Sequence, residues 1–495
     1  MWRDRDFRRL WVGQTVSQLG EHTTLVVLPL CAVLTLDAGA GELGVLRAVG
    51  QAPILLLSLL AGAWVDRWRT RTVMVLADVG RALALGAVAV AGLLGALGLP
   101  ALLVAGFAVG ALSVFFDVAY QSSLVRLVER DQLVRGNSAL EGSRSAAQIA
   151  GPALGGALVS LLSAPIAAVS GALLFALSCL SIRRIRRGES LPEATQRRSR
   201  RHPKPTRGLP SRLPDFTRRR SQRHSESTRD LSQRLSDFTR RERSQRLQEP
   251  TQECSQPHPE PRQELSQRPP EPTQEPPRRP PRVWRRIREG LGFVVGDPSL
   301  RAVCLASAAF QFSLAATMTV YLLFLPRELH LSGTEVGLAL AATGPGALLG
   351  SLLAARLPGR FGHGVVLVSA AALGDGAFLF VPVLHGSSAG TVLALVAVSL
   401  VFGTFGQLVN VTVMGVRQAL TPDGMQGRAA ATITFVGMGL TPLGSLLGGF
   451  LADEWGLRPS LAVTAAGMLL SPLLMSLSPL ARLGRTLPDR RLLVD

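Results

Sequence analysis

Twelve apolar stretches, six before and six after a long polar segment, constrain this chain more than any other feature of its sequence. A helix of ~20 apolar residues satisfies its own backbone hydrogen bonds and spans a hydrocarbon core of ~30 Å. The predicted spans are residues 11–35, 43–63, 73–97, 100–124, 140–162 and 164–182, then 299–325, 333–355, 364–384, 387–415, 428–451 and 457–477. We therefore predict an all-α membrane protein with twelve transmembrane helices in two six-helix halves.

The same pattern predicts four regions along the chain. Residues 1–187 form an N-terminal six-helix half, residues 283–480 a C-terminal half, and residues 481–495 a tail. Residues 188–282 are rich in Pro, Arg, Gln, Ser and Glu and poor in aliphatic side chains. Such a segment buries too little apolar surface to fold alone, so we expect a long disordered loop between the halves.

Of the net charge of +19, +15 lies between residues 183 and 290, in this loop and its immediate flanks, rather than in the apolar segments. The loop lacks aromatic interleaving and a folded platform, so a nucleic-acid partner is not predicted from its arginines. One interpretation is a tether whose basic residues face anionic lipid. The alternative is a segment that binds a specific protein or RNA partner.

Arginines also mark one side of the predicted membrane layer. They follow the second, fourth, sixth, eighth and tenth helices and occur in the tail, whereas the opposite loops carry only Arg327 and Arg458. The positive-inside rule then places both termini and the central loop in the cytoplasm of a multi-pass cell-membrane protein. The strongly charged residues 1–9 are unlike a cleavable signal peptide, so the first helix is expected to act as an uncleaved insertion signal.

The strongest local motif lies between the second and third predicted helices, in the run Gly62-Ala-Trp-Val-Asp66-Arg67-Trp-Arg-Thr-Arg71. This run resembles the signature of the major facilitator superfamily, and the resemblance implies a transporter with the major facilitator fold. In such a protein Gly62 allows a close helix contact and Asp66 faces the positive N-terminus of a helix in the other half. Arg67 and Arg71 bind partners or lipid phosphates. These four residues are the candidate cytoplasmic gate, and the plain alternative is a positive-inside loop.

The fifth predicted helix contains a second motif, in which Gly151 and Pro152 are followed by Gly155 and Gly156. It resembles the Gly-Pro-x-x-Gly-Gly element of drug and metabolite exporters in the superfamily. Small residues allow tight helix packing, and proline bends a helix because it removes a backbone hydrogen bond. Residues 442–449 of the eleventh helix repeat the pattern in part. We predict a helix-packing role, with generic small-residue packing as the alternative.

The two halves resemble one another around these elements. Residues 126–152 and residues 417–449 share their arginines, an acidic turn and a proline-glycine run. Together with residues 11–20, these segments resemble the subfamily of the bacterial macrolide efflux proteins and the enterobactin exporter. The arginine motif that drug exporters carry in their fourth helix is not evident in residues 115–123.

Glu21 and Asp117 lie deep in predicted helices, where ionisable side chains are costly and are functional candidates by default. A carboxylate in low-dielectric surroundings is stable when protonated and releases its proton once water reaches it. We therefore predict that these two residues couple transport to protons. The alternative for Glu21 is a hydrogen bond to Gln18 or His22 that only shapes the first helix.

A second set of charges lies nearer the predicted cytoplasmic face. Oppositely charged neighbours at that depth are expected to pair with one another. The members of this predicted charge network are Asp78, Arg81, Glu141 and Arg144. Three further ionisable residues lie in apolar segments, His22, Arg47 and Asp375, and each is a functional candidate by default, with a charge near a helix end that reaches the membrane surface as the alternative.

These patterns predict a secondary active transporter that exports a hydrophobic or amphipathic small molecule, such as a drug, an antibiotic or a siderophore-like metabolite, by proton antiport and alternating access. Its partners would be the substrate, protons and the lipid bilayer, and a monomer is expected. The alternatives are an importer of a small polar nutrient and a non-transporting scaffold that acts through the basic loop. The sequence shows no nucleophile–base pair, phosphate-binding loop or metal-ligand spacing, so neither an enzyme nor a cofactor or metal is predicted.

Overall fold

A computed structural model describes residues 4–65, 68–127, 133–185, 291–421 and 425–485, and within these ranges the chain is helical with no strand. The predicted central loop, residues 188–282, lies outside the described residues. The start of the first helix is set by Asp4, whose side chain accepts a hydrogen bond from the backbone N–H of Asp6. This cap adds about two turns to the predicted span, because the charged residues before Leu10 continue the helix beyond the apolar run.

Six helices form the N-terminal half. Their bounds are Arg5–Thr35 (α1), Ala40–Val65 (α2), Thr70–Leu93 (α3), Leu99–Leu127 (α4), Leu133–Leu161 (α5) and Ala164–Arg183 (α6). The predicted spans fall on these helices. Within the half, α1 packs against α5 and α6, α3 packs against α4 and α6, and α2 packs against α4.

Six further helical spans form the C-terminal half, and four of them are interrupted. They are Pro298–Arg327 (α7), Gly333–Ala354 (α8), His363–Val383 (α9), Ala389–Leu420 (α10), Gln426–Gly439 continued by Thr441–Trp455 (α11), and Leu457–Ser476 (α12). A short helix, Leu357–Phe361, connects α8 to α9. The interruptions at Ala342, Leu440 and Leu469 each precede a proline by two or three residues, and α9 ends in a 3-10 turn that contains Pro382. Proline causes these breaks because it cannot donate the backbone hydrogen bond that continues a helix.

Eleven spans among the described residues are long and apolar enough to cross a membrane. Helix α5 is not among them, because its first half carries Arg135, Glu141 and Arg144 and its composition is therefore more polar. The fold nevertheless has the predicted layout of two six-helix halves, since α5 packs along its length between α1 and α8.

The two halves meet through two helix pairs, α2 with α11 and α5 with α8. We call the end of the bundle that holds residues 36–39 and 328–332 the distal end, and the opposite end, which holds residues 5 and 485, the terminal end. The largest apolar core lies towards the distal end and takes side chains from both halves, for example Leu30, Leu43, Val320 and Phe324, all of them buried. Burial of this shared surface holds the halves together.

Polar contacts join the halves at the distal end. The guanidinium of Arg327 lies 2.7 Å from the carboxylate of Asp37 and 2.8 Å from the carbonyl of Ala38, to which it donates a hydrogen bond. The backbone N–H of Gly41 donates to the carboxylate of Asp453 at 2.8 Å. We refer to these contacts as the distal clasp. These contacts give Arg327 a structural role in joining the halves, although it lies in a loop on the side that is otherwise poor in arginine.

Loss of the distal clasp is expected to expose the distal end. Because an exposed ion pair contributes ~0.2–1 kcal/mol and a hydrogen bond ~0.5–1.5 kcal/mol, Arg327→Ala should open this end about three- to seventyfold more often. The measurement is the rate at which a membrane-impermeant thiol reagent labels a cysteine placed at Ala38, which is 2% exposed. Arg301→Ala, on the exposed terminal side of α7, is the matched control. An unchanged labelling rate in Arg327→Ala would show that the clasp does not hold this end closed.

Candidate functional site

Glu21 and Asp117 line one cavity in the N-terminal half. Helix α1 carries Glu21 about 24 Å from its start, at a rise of ~1.5 Å per residue, and α4 brings Asp117 to the same space. The cavity has a volume of about 210 Å³. Its remaining polar lining comes from Thr24, Arg47 and Gln51 among others. The structure therefore brings together the two residues that the sequence proposed for proton coupling, although α1 and α4 are far apart in the chain.

The wall of this cavity is mostly apolar. Its aliphatic members come from α1, α2 and α4 and are Leu25, Leu28, Leu46, Ile54, Val109 and Val114. A mostly apolar cavity with a few polar groups is typical of small-molecule sites. The arrangement suits an amphipathic molecule better than a fully polar one.

Asp78 and Arg81 form a buried ion pair beside the cavity. Both side chains are 0% exposed, and the guanidinium Nη2 lies 2.5 Å from Asp78 Oδ1. The hydroxyl of Ser178, on α6, donates to Asp78 Oδ2 at 2.6 Å, and Arg81 donates to the hydroxyl of Ser17, on α1, at 3.0 Å. The pair thus connects α3 to α1 and α6, and its buried charges have the hydrogen bonds that make burial tolerable.

Aromatic rings and a second acid complete the surroundings of Arg81. Its guanidinium lies 4.5 Å from the ring centre of Phe116 and 4.3 Å from that of Phe175, within the range of cation–π attraction. Its Nη1 atom lies 3.9 Å from Glu21 Oε2 and donates to the hydroxyl of Ser113 at 3.2 Å. Glu21 is therefore not isolated: a fixed buried cation lies beside it.

The predicted charge network is described only in part. Asp78 and Arg81 pair directly, whereas the side chain of Arg144 is exposed on α5. Glu141 lies on α5 too, but its side chain is outside the described part of the structure. The i, i+3 spacing of Asp78 and Arg81 on one helix is the sequence signal that predicts their pairing.

The predicted gate motif is described only at its edges. Asp66 and Arg67 lie outside the described residues, and Gly62 falls on the last turns of α2 without described surroundings. Arg71, in the first turn of α3, donates a hydrogen bond to the carbonyl of Arg183 at the end of α6. This contact lies within the N-terminal half, so the latch between the halves stays a prediction.

The motif of α5 lies where that helix contacts both α1 and α8. A Cβ atom added at Gly151 or Gly155 would come within 3.0 Å of the backbone of Thr23 on α1. One added at Gly156 would come within 2.6 Å of the Cα atom of Gly337 on α8, in the other half. Only glycine permits these backbones to approach so closely. Pro152 lies inside α5, within this contact region.

The partial repeat in α11 makes the equivalent contacts. A Cβ atom at Gly448 would come within 2.8 Å of the Cα atom of Ala316 on α7, and one at Gly449 within 3.0 Å of the Cα atom of Gly44 on α2. Each motif helix therefore packs against the first helix of its own half and crosses to the other half through a glycine pair. We call the two crossings, Gly156 with Gly337 and Gly44 with Gly449, the glycine crossings.

A second cavity, which the sequence does not predict, lies in the C-terminal half. It has a volume of about 300 Å³ and is lined by α7, α9, α10, α11 and α12, with Asp375 of α9 in its wall. Asp375 was visible in the sequence as a charge in an apolar segment. Its neighbours in the cavity could not be inferred, because they come from four other helices.

No cluster of His, Cys, Asp and Glu suited to a metal ion occurs among the described residues. Three of the four cysteines, Cys31, Cys179 and Cys304, are described, and they are buried free thiols.

Comparisons with known families and folds agree with this architecture. The family model of the Major Facilitator Superfamily matches residues 10–300, and the model described as transmembrane secretion effector matches residues 270–488. No curated protein sequence matches the chain.

Solved transporter structures share the fold. A bacterial homologue of the iron transporter ferroportin, in its inward-facing state, is 15% identical with a TM-score of 0.60, the match covering 95% of this chain and 98% of that one. A bacterial homolog of the human lysosomal transporter Spinster is 12% identical with a TM-score of 0.62 and 96% coverage of both chains. The nucleoside transporter NupG is 11% identical with a TM-score of 0.62, covering 95% and 98%. At these identities the likeness concerns the fold alone.

Proposed function

This chain belongs to the Major Facilitator Superfamily of membrane transporters, and we propose that it exports a hydrophobic or amphipathic small molecule by proton antiport. The observation that carries the proposal is the cavity of the N-terminal half, where two carboxylates, Glu21 and Asp117, face a mostly apolar wall. The apolar wall suits the body of an amphipathic substrate, and the carboxylates suit a coupling proton. In this proposal both termini lie in the cytoplasm and the transporter works as a monomer.

The position of Glu21 beside Arg81 supports a mechanism that couples proton uptake to substrate binding. When Glu21 is ionised, its carboxylate is attracted to the guanidinium 3.9 Å away. When it takes up a proton, this attraction is lost, and the side chain, which is 27% exposed, is free to turn into the cavity. Protonation therefore changes the shape and charge of the surface that a substrate meets. Because Arg81 is held by Asp78 and two phenyl rings, it stays in place while Glu21 changes.

The contacts between the halves support alternating access. The two halves touch through α2 with α11 and α5 with α8, and the distal clasp closes one end of this surface. Exposure of the cavities to the other side of the membrane requires that clasp to separate while the terminal ends approach. Asp66 is the proposed contact at the terminal end, since a carboxylate there is attracted to a helix N-terminus.

The proposal is tested with the full chain in inside-out proteoliposomes under an imposed pH gradient. A panel of amphipathic dyes of positive, neutral and negative charge would be offered together with a small polar nutrient such as a nucleoside. We expect several-fold accumulation of at least one dye while the gradient persists and none after a protonophore dissipates it. Accumulation of the nucleoside alone, or accumulation of a dye that the protonophore does not reduce, would contradict proton-driven export.

A further inference from the structure

The cavity of the C-terminal half holds a buried carboxylate, one oxygen of which has no hydrogen-bond partner among the described residues. Asp375 is 3% exposed, and its Oδ2 atom has no hydrogen-bond partner. Among the residues that the structure describes, Asp375 also forms no ion pair. It lies about 18 Å along α9 from the helix start, at ~1.5 Å per residue, and so near the middle of that span. A buried carboxylate is costly unless a counter-charge or hydrogen bonds stabilise it, so this position favours the arrival of a cation.

The groups around Asp375 are mainly neutral polar side chains and apolar surfaces. Gln311 on α7, Asn410 on α10 and Ser471 on α12 line the same space and offer oxygen atoms. Arg417 is the one cation among the lining residues, and it forms no ion pair with Asp375. The oxygens can complete the coordination of a positively charged group that pairs with the carboxylate.

The size and the wall of the cavity identify the kind of cation. A volume of about 300 Å³ is far more than a metal ion occupies and reaches the range of small-molecule sites. The apolar part of the wall comes from Phe310, Val409, Val413, Ile433, Met438 and Met475. Phenyl rings attract cations through their π face, and methionine side chains adapt to varied apolar shapes.

We propose that this cavity binds an amphipathic organic cation, whose positive group pairs with Asp375 and whose apolar body contacts Phe310 and the methionines. The inference rests on the proposed function, since it names a class of substrate for the exporter. It also assigns the recognition of charge to the C-terminal half, whereas Glu21 and Asp117 in the N-terminal half carry the coupling proton. Each half then has a separate task.

The test uses the purified full chain in lipid nanodiscs, with radiolabelled tetraphenylphosphonium as the probe and equilibrium dialysis as the measurement. The neutral molecule triphenylphosphine oxide, of similar shape, reports on apolar contacts alone. We expect Asp375→Asn to weaken tetraphenylphosphonium binding about tenfold or more, because a contact to a buried charge is lost, and to leave the neutral probe within about twofold. Glu454→Gln, an exposed carboxylate at the distal end of α11, is the matched control and should bind both probes normally.

A second variant separates charge recognition from a merely structural effect. Asn410 lines the same cavity, so Asn410→Asp combined with Asp375→Asn returns a carboxylate to it and should recover most of the lost affinity. Equal loss of both probes in Asp375→Asn, or unchanged tetraphenylphosphonium binding, would overturn the inference.

The inference and the proposed function can fail separately. Gradient-driven movement of a neutral dye without tetraphenylphosphonium binding would overturn the cation site and support export. Binding through Asp375 without gradient-driven movement of any dye would support the site and contradict export.

Discussion

Glu21→Gln is expected to abolish the accumulation of substrate driven by a pH gradient while sparing substrate binding and exchange that needs no energy source. Glutamine has nearly the shape of glutamate but cannot take up or release a proton, so the switch between attraction to Arg81 and release is lost. The cavity keeps its apolar wall, and binding should therefore persist. In inside-out proteoliposomes, accumulation should fall to the level seen without a gradient.

A control and a companion variant accompany this experiment. Glu42→Gln removes an exposed carboxylate that only accepts a hydrogen bond from the backbone of Gly39, and it should accumulate substrate like the unaltered protein. Asp117→Asn reports on the second carboxylate of the cavity. Vesicles with Glu21→Gln that still concentrate substrate when a pH gradient is imposed would show that Glu21 only shapes α1.

Arg81→Met is expected to destabilise the protein more than any exposed substitution. It leaves the carboxylate of Asp78, which is 0% exposed, without its counter-charge. Removal of one partner of a buried ion pair costs ~3–5 kcal/mol, because the remaining charge stays buried and uncompensated. The free energy of unfolding in detergent, with Tm as a rapid substitute, is the quantity to measure.

The double variant Asp78→Asn with Arg81→Met identifies the cause of that loss. If the isolated charge is responsible, replacement of the carboxylate by a neutral amide should recover most of the stability, since Ser178 can still hydrogen-bond to the asparagine. Arg301→Met, at an exposed position on α7, should change Tm little. A double variant no more stable than Arg81→Met would point instead to lost packing of Arg81 against Phe116 and Phe175.

The number of helices and their division into two halves follow from patterns within single segments, and these were predictable. Apolar run length gives the spans, so α6 and α9 lie within a residue or two of their predicted positions. The starts of α1 and α5 precede the predicted ones by six or seven residues, because a helix continues through polar residues although the hydropathy falls there. The break at Leu440 was not predicted, although Pro442 marks it.

The sequence predicts which residues belong to the candidate site but not how they contact one another. The sequence identifies Glu21 and Asp117 as deep carboxylates, and Asp78 and Arg81 as neighbours on one helix. It does not show that Ser17 and Ser178 hydrogen-bond to that pair, since these residues come from helices far apart in the chain. The distal clasp and the isolation of Asp375 depend on the same long-range packing. Information of that kind is absent from any single segment.

The glycine crossings also determine how one half can move against the other. At both crossings the closest approach is between the two backbones, while side chains such as Ile149 on α5 lie against Gly344 of α8 elsewhere along the same helix pair. Interlocked side chains resist sliding, because they must leave one set of gaps before they enter the next. Contact of backbone with backbone, as at the glycine crossings, lacks that barrier. At these two points the halves are therefore in close contact, and yet one helix can rotate against the other without displacing interlocked side chains.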